Sequence, residues 1–381
     1  MSNALSINNQ RTINYKWSLM KNFTNQLFSS TINRIIGLIT IIGLILLHYP
    51  QFPVVPTYLI SAYIIIFFAT FIRTLMCKKY RFLNEAEGLL LEHTYHINAL
   101  SISKTSNFLA SCSGDQYAVI WDLEERKVKH RLAHSAWVGG IAISNDDQSV
   151  YTLSGKTDNL RQWDLLSAAV KTTVSANIGH SRGLALSKNG NILVTCGPDG
   201  FIKIFDASNI IKEPKSKQLS NYELRKVAVN NDGGIICAGD VKGMVYLYNA
   251  ENDDVSEVFT QPDQSMIRFV TLDKHGTLLA ITDSSGLLTV VGIYASYAKT
   301  VKSHIGHAAC AAFTPNGNFV ATGGQDEIVR IWDIRNEKVI KHLEIVGHTG
   351  AVTSLLFDKN LRLYTAGRDS KIMIWNLNGL E

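Results

Sequence analysis

A ladder of aromatic residues about 42 positions apart constrains this chain more than any other feature. Trp121 and Trp163 stand 42 residues apart, Phe205 and Tyr248 follow after 42 and 43, and Trp332 precedes Trp375 by 43. Around each rung a pattern repeats. Residues 319–335 read F-V-A-T-G-G-Q-D-E-I-V-R-I-W-D-I-R: a short β-prone run, a Gly-Gly turn, then a run of alternating apolar residues ending in Trp-Asp. Residues 110–122 and 364–376 keep the same order. Neither run can bury a face alone, so the unit has to stack on copies of itself. A period of about 40–45 residues closing on Trp-Asp predicts a propeller blade of four strands.

These motifs resemble the WD-repeat family, over roughly residues 88–381. Alignment on the ladder gives seven units, with L-L-T-V-V-G-I at 287–293 where blade five should carry its Trp strand. Turn signals N-D-D, K-N-G, N-D-G, K-H-G and P-N-G fall at matching places between first and second strands. The fold class is therefore all-β, a seven-bladed WD-repeat propeller preceded by an N-terminal transmembrane helical hairpin. The seventh blade lacks an outer strand after Trp375, and the strand-like run G-L-L-L-E at 88–92 is expected to supply it and close the ring.

The resemblance also implies a buried tetrad in each well-kept blade, joining a His, a Ser or Thr, an Asp and the Trp. Matching residue by residue gives His93, Ser111, Asp115 and Trp121 in blade one. Blade six gives His304, Thr322, Asp326 and Trp332, and blade seven His348, Thr365, Asp369 and Trp375. Blade two keeps His134, Asp158 and Trp163, with its Asp displaced by one. Blade three has Thr195, Asp199 and Phe205, with Asn177 in the His place; blades four and five lack the set. These are structural groups. His, Asp and Ser here do not read as a catalytic triad, because nothing suggests an oxyanion hole.

Net charge places the basic character of the chain outside the repeats. The whole chain carries +5, but residues 1–84 hold eight basic residues and no acid, leaving 29 basic against 32 acidic in the rest. A nucleic-acid-binding propeller would show the reverse. Residues 1–30 form a basic segment with apolar residues at helical spacing from Ile13 to Ile35, which fits a helix lying in a membrane interface or a soluble helix leading into the membrane. Residues 31–76 hold two apolar runs, at about 31–49 and 54–73, separated by a Pro-rich turn. Arg34 before the first and Arg73, Lys78, Lys79 and Arg81 after the second place both ends, and hence the propeller, in the cytosol. An endoplasmic-reticulum or other endomembrane is the expected site. A mitochondrial one is the alternative, because the acid-free N-terminus resembles a transit segment. Residues 77–87 read as a linker. Five cysteines, Cys77, Cys112, Cys196, Cys237 and Cys310, show no Cys-x-x-Cys pairing and read as free thiols in a reducing compartment.

The family binds partners mainly on the rim at one end of the central channel. The position three after the tetrad His should point there: His96, Trp137, His180, Glu223, Met266, His307 and Ala351, spaced by 41–44 residues. Turn residues join them, namely Gly114, Gln325, Arg368 and Lys156. Trp137, with Arg368 and Arg182 nearby, combines the residue types enriched at interface hot spots, although it would equally suit packing over its own blade. His96, His180 and His307 lie on non-adjacent blades, so no metal site is expected. No P-loop, zinc or nucleophile-elbow motif appears. The expected function is a membrane-anchored, non-enzymatic scaffold whose rim binds protein partners and whose hairpin contacts lipid. It would need no cofactor, nucleic acid or small-molecule substrate. Two alternatives follow from I-W-D-I-R at 331–335 and from membrane-bound relatives. One is a cullin–RING ubiquitin ligase receptor with Arg335 contacting the adaptor; the other is a nucleotide exchange factor for a small GTPase in vesicle traffic.

Overall fold

The computed structural model describes residues 81–83, 85–155, 159–176, 183–295 and 297–380. The amphipathic segment and both apolar runs lie outside them, as does Cys77. Among the described residues no helix is long and apolar enough to cross a membrane. The described residues all belong to one compact unit, residues 78–381.

That unit is a seven-bladed propeller. Each blade is an antiparallel sheet whose first strand lies innermost, and each innermost strand packs against the next around a closed ring. Blade one runs Ile97–Ile102, Phe108–Ser113, Tyr117–Asp122 and Lys127–Ala133. The third strand of every blade carries the ladder residue, at the same register opposite the second strand: Trp121 faces Leu109, Phe205 faces Leu193 and Tyr248 faces Ile236. Val291 holds that register in blade five, opposite Leu279.

Closure follows the sequence expectation. Gly88–Leu91 forms the outer strand of blade seven, antiparallel to Lys371–Asn376. Leu90 is buried against Ile372 and Ile374, while Leu89 and Leu91 point outward and are exposed. That alternation matches the period-two geometry of a strand with one packed face. One strand was not anticipated. Arg81–Leu83, within the stretch read as linker, pairs in parallel with Leu343, Glu344 and Ile345, adding a fifth strand to blade six. It covers the otherwise open edge of Ile340–Val346.

The tetrads hold the blades internally. In blade one, Trp121 Nε1 donates to Ser111 Oγ (2.8 Å), which lies 2.8 Å from His93 Nε2, and His93 Nδ1 lies 2.8 Å from Asp115 Oδ2. Blade six repeats this through Thr322, His304 and Asp326 at 2.9, 2.8 and 2.7 Å. Blade seven repeats it through Thr365, His348 and Asp369. The partners set the tautomer: Nδ1–H donates to the carboxylate and Nε2 accepts from the hydroxyl. Burial alone would raise the Asp326 carboxyl, but the His304 hydrogen bond and charge, with Arg330 behind them, hold it well below the usual carboxylate range.

The eroded blades depart from this plan in different ways. In blade two, Trp163 still donates to Thr152 (2.8 Å), but both ring nitrogens of His134 lack partners among the described residues. Asp158 and Asn177 lie outside them. In blade three, Phe205 has no indole N–H to give, and Thr195 Oγ1 is buried without a partner among the described residues. Blades four and five lack the tetrad and build a substitute. Asp240, at the end of the second strand, accepts from Ser220 Oγ (2.8 Å), Tyr246 OH (3.2 Å) and the turn amides of Lys242 and Met244. Asp283 does the same with Gln261 and the amides of Ser285 and Leu287. A buried carboxylate needs several donors wherever it stands.

Candidate functional site

One repeated backbone bond defines the rim. The residue just before each innermost strand accepts, through its carbonyl, from the amide that follows the second strand. Gly114 donates to His96 (3.1 Å), Gly155 to Trp137 (2.9 Å) and Val241 to Glu223 (3.1 Å). Ser284 donates to Met266 (2.9 Å), Gln325 to His307 (2.9 Å) and Arg368 to Ala351 (2.8 Å). Six blades thus present the expected positions at the same end of the channel. His180, Lys156 and Arg182 lie outside the described residues, and in blade two Gly155 fills the turn position for which Lys156 was expected.

The side chains differ in what they offer. Ala351 is buried and offers no contact. Glu223 lies 3.4 Å from Arg225 in an ion pair. Gln325 and Arg368 are exposed, and Met266 and His307 are half-buried. His96 packs against Tyr95, with ring centroids 4.2 Å apart. Trp137 is half-buried, and its indole lies directly over Gly155: a Cβ there would stand 1.9 Å from Cζ2. The indole therefore packs on its own blade and borders the channel mouth at once.

His96, Trp137 and Arg368 meet around one cavity of about 140 Å³ at that mouth. Its other walls were not among the candidate residues. Arg225, Lys226 and Arg268 line it, with Asn98, Gly139, Ala309 and Thr353. Most of these occupy the second position of an innermost strand, two residues beyond the rim position. The same place in sequence reads Asn98, Gly139, Arg182, Arg225, Arg268, Ala309 and Thr353, with arginine in three successive units. That periodic signal was available to sequence reading.

The mouth is strongly cationic. Burial, followed by the charges of Arg268 and Arg368, pushes the His307 pKa down. Lys226 reaches over the Phe269 ring (5.7 Å to its centroid) and its charge is felt by the buried Cys112, Cys196 and Cys310. These thiols, with Cys237, are unpaired, and burial pushes each up to about 12, which leaves them unreactive. Among the described residues no group of three or more His, Cys, Asp or Glu side chains is placed to hold a metal ion.

Arg335 lies elsewhere. The pairing of Phe319 with Asp333 puts it at the end of blade six opposite the rim. Its guanidinium grips both carboxylate oxygens of Asp333 (3.0 and 2.6 Å) and sits 5.1 Å from the Phe319 ring centroid.

A closed ring of seven blades, with tetrads in the best-kept of them, defines a seven-bladed β-propeller. Comparison with known proteins finds repeats similar to WD repeats within it. The family described as WD domain, G-beta repeat matches residues 87–122, 172–206, 298–333 and 338–376. Similar curated proteins include Actin-interacting protein 1 of Caenorhabditis elegans, 25% identical over 298 residues, covering 75% of this chain and 47% of that protein. WD repeat-containing protein 55 of Mus musculus is 23% identical over 257 residues, covering 65% and 64%. The WD repeat-containing protein 26 homolog of Arabidopsis thaliana is 26% identical over 335 residues, covering 80% and 52%. The chain spans between about half and two thirds of the length of these relatives.

Proposed function

We propose that the propeller is a protein-docking platform, that its rim around the channel mouth is the docking surface, and that residues 31–76 confine it to a membrane with the propeller on the cytosolic side. The observation that carries the rim assignment is the convergence of His96, Trp137 and Arg368 on one cavity. A half-buried Trp beside exposed Arg is the chemistry of interface hot spots. Relatives such as Actin-interacting protein 1 are named for an interaction. The mechanism is binding: confinement to a membrane raises the local concentration of the bound partner there.

Proximity labelling from the full-length chain identifies the partner. Trp137→Ala and Arg368→Ala are each expected to weaken its binding at least about tenfold, the effect of losing roughly 1.4 kcal/mol, with the propeller still unfolding in one cooperative transition. Full binding by both variants would refute the rim assignment. Membrane confinement is tested separately, by carbonate extraction and by protease treatment of sealed vesicles. Release into the carbonate wash would sink the anchor, and a propeller protected inside the vesicles would sink the orientation.

A further inference from the structure

The rim occupies one end of the channel, and the turns between first and second strands gather at the other. The second residue of those turns reads Lys104, Asn145, Lys188, Asn231, Lys274, Pro315 and Lys359, with lysine in blades one, three, five and seven and an acid in none. The four lysines line one cavity of about 450 Å³ there. Among the described residues none of their ammonium groups forms an ion pair. Desolvation, then the charge of Lys274, pulls the Lys188 pKa down, with Asp273 opposing. Asp273 is held in its own turn by the amides of Thr277 (2.6 Å) and Leu278 (2.8 Å). Asp358 is the carboxylate among the described lining residues; it is buried, and its Oδ1 accepts from the amides of Asn360 and Arg362. Asp147 accepts from the Lys104 amide and from Thr105.

The chain also joins the propeller from this end. Ile340–Val346 runs towards the rim, since Val346 pairs with Ile328 just after the rim turn of blade six and Ile340 pairs with Asp333 at the far end. Arg81–Leu83 lies parallel to it, from Leu343 to Ile345. Arg81 thus stands three residues, about 10 Å, inside the lysine end of that strand. From position 76, where the second apolar run closes, the chain reaches at most about 18 Å to position 81. So short a tether favours the lysine end, and not the rim, as the face turned to a bilayer. We infer that this end of the propeller is a membrane-facing surface whose lysines hold anionic phospholipid headgroups. The inference rests on the membrane-confinement reading and adds which face meets the bilayer and which lipid it selects. A lysine ammonium binds phosphate as a compact point charge, and anionic lipid is concentrated in the cytoplasmic leaflet. The outer turns of the same end carry exposed Leu166, Ile211 and Tyr294, side chains suited to the boundary between headgroups and acyl chains. Acids such as Glu124, Glu213 and Glu251 stand in those outer turns, which leaves the positive charge at the centre. This orientation turns the rim away from the bilayer, towards a cytosolic partner.

The test uses the full-length chain carrying Cys77→Ser, whose other cysteines are buried. A fluorophore is placed at the lysine end through His275→Cys or on the rim through Gln325→Cys, both exposed positions. Each labelled chain is reconstituted in vesicles of phosphatidylcholine, or of phosphatidylcholine with phosphatidylserine, containing a lipid with a nitroxide quencher on its headgroup. The label at 275 is expected to be quenched, more strongly when phosphatidylserine is present, and the label at 325 to stay bright. Lys188→Gln combined with Lys274→Gln should abolish the phosphatidylserine-dependent part, and Lys188→Arg combined with Lys274→Arg should keep it. A rim label quenched as strongly as the other overturns the inference, as does quenching at 275 that ignores phosphatidylserine or survives the glutamine pair. If the chain still floats with the vesicles, membrane confinement stands in each of these cases. A chain that does not float with them overturns the confinement reading and the inference together. An unquenched label at 275 whose emission inorganic phosphate shifts saturably also overturns it, and shows a site for a soluble anion instead.

Discussion

Thr322 and Thr195 stand at equivalent places on the second strands of blades six and three, and their surroundings oppose each other. Thr322 Oγ1 receives the Trp332 indole N–H and lies against His304 Nε2, whereas Thr195 Oγ1 is buried without a partner among the described residues, with Phe205 in place of the indole. Thr322→Val should cost about 1–3 kcal/mol by stranding two buried polar atoms, while Thr195→Val should be neutral or stabilising by up to about 1 kcal/mol. Urea melts of the two variants check the contrast, and equal losses would contradict it. His134 gives a second residue-scale prediction. Burial, with Arg161 second, pushes its pKa down to about 4. A histidine depressed in the fold contributes stability that is fully present above its unfolded value of about 6.5 and is lost as pH falls from there towards 4. The separation corresponds to about 3 kcal/mol. Between pH 7 and pH 4 the natural chain should therefore lose about 3 kcal/mol more than His134→Gln, and parallel pH profiles would count against an uncharged His134. The residues carrying these effects were legible as a pattern. The empty hydrogen bonds were not, because an alignment shows which side chain is substituted and not which donor disappears with it.

At the level of elements, the blades were legible wherever a strand carries its own Trp or a strong turn signal. Blade five remained weak because Val291 in the Trp place packs without any polar signature. The substitute networks on Asp240 and Asp283 left a trace that reading for the His–Asp–Trp set passes over. Each Asp ends its second strand and precedes a Gly at positive φ, Gly243 (84°) or Gly286 (80°), so the carboxylate has moved back from the turn into the strand. Arg81–Leu83 was not legible, since three residues pairing in parallel to an outer edge carry no periodicity to read. The closing strand was, and its register makes a sharp prediction. Leu90→Ala removes a side chain buried between Ile372 and Ile374 and should cost about 2–5 kcal/mol. Leu89→Ala and Leu91→Ala, on the exposed face, should stay within about 0.5 kcal/mol. A register slipped by one residue would reverse the two results, so thermal unfolding of the three variants reports directly on how the ring is latched.

Charge is distributed on the scale of the whole chain. Eight basic residues and no acid precede position 85, and the propeller segment that follows leans acidic except at the ends of its channel. Sequence reading passed over Arg225, Lys226 and Arg268, because it followed one position per blade and the cations stand two and three residues further on. A concentrated positive mouth on an acid-leaning body has a long-range consequence that individual contacts do not. Its field extends roughly one Debye length, about 8–10 Å at physiological salt and farther at low salt, and would draw the proposed partner towards the rim before contact if that partner is anionic. Arg268→Gln with Arg368→Gln should therefore lower kon for the partner several-fold at low salt, with the gap narrowing as salt rises. The plot of log kon against salt should be shallower for the variant. Trp137→Ala, which removes contact area and no charge, should instead act mainly through koff and leave the salt slope unchanged. Stopped-flow association across a salt series separates the two. If both variants moved koff alone, the arginines would be acting only as short-range contacts, and the charge asymmetry of the propeller would have no part in how the partner finds it.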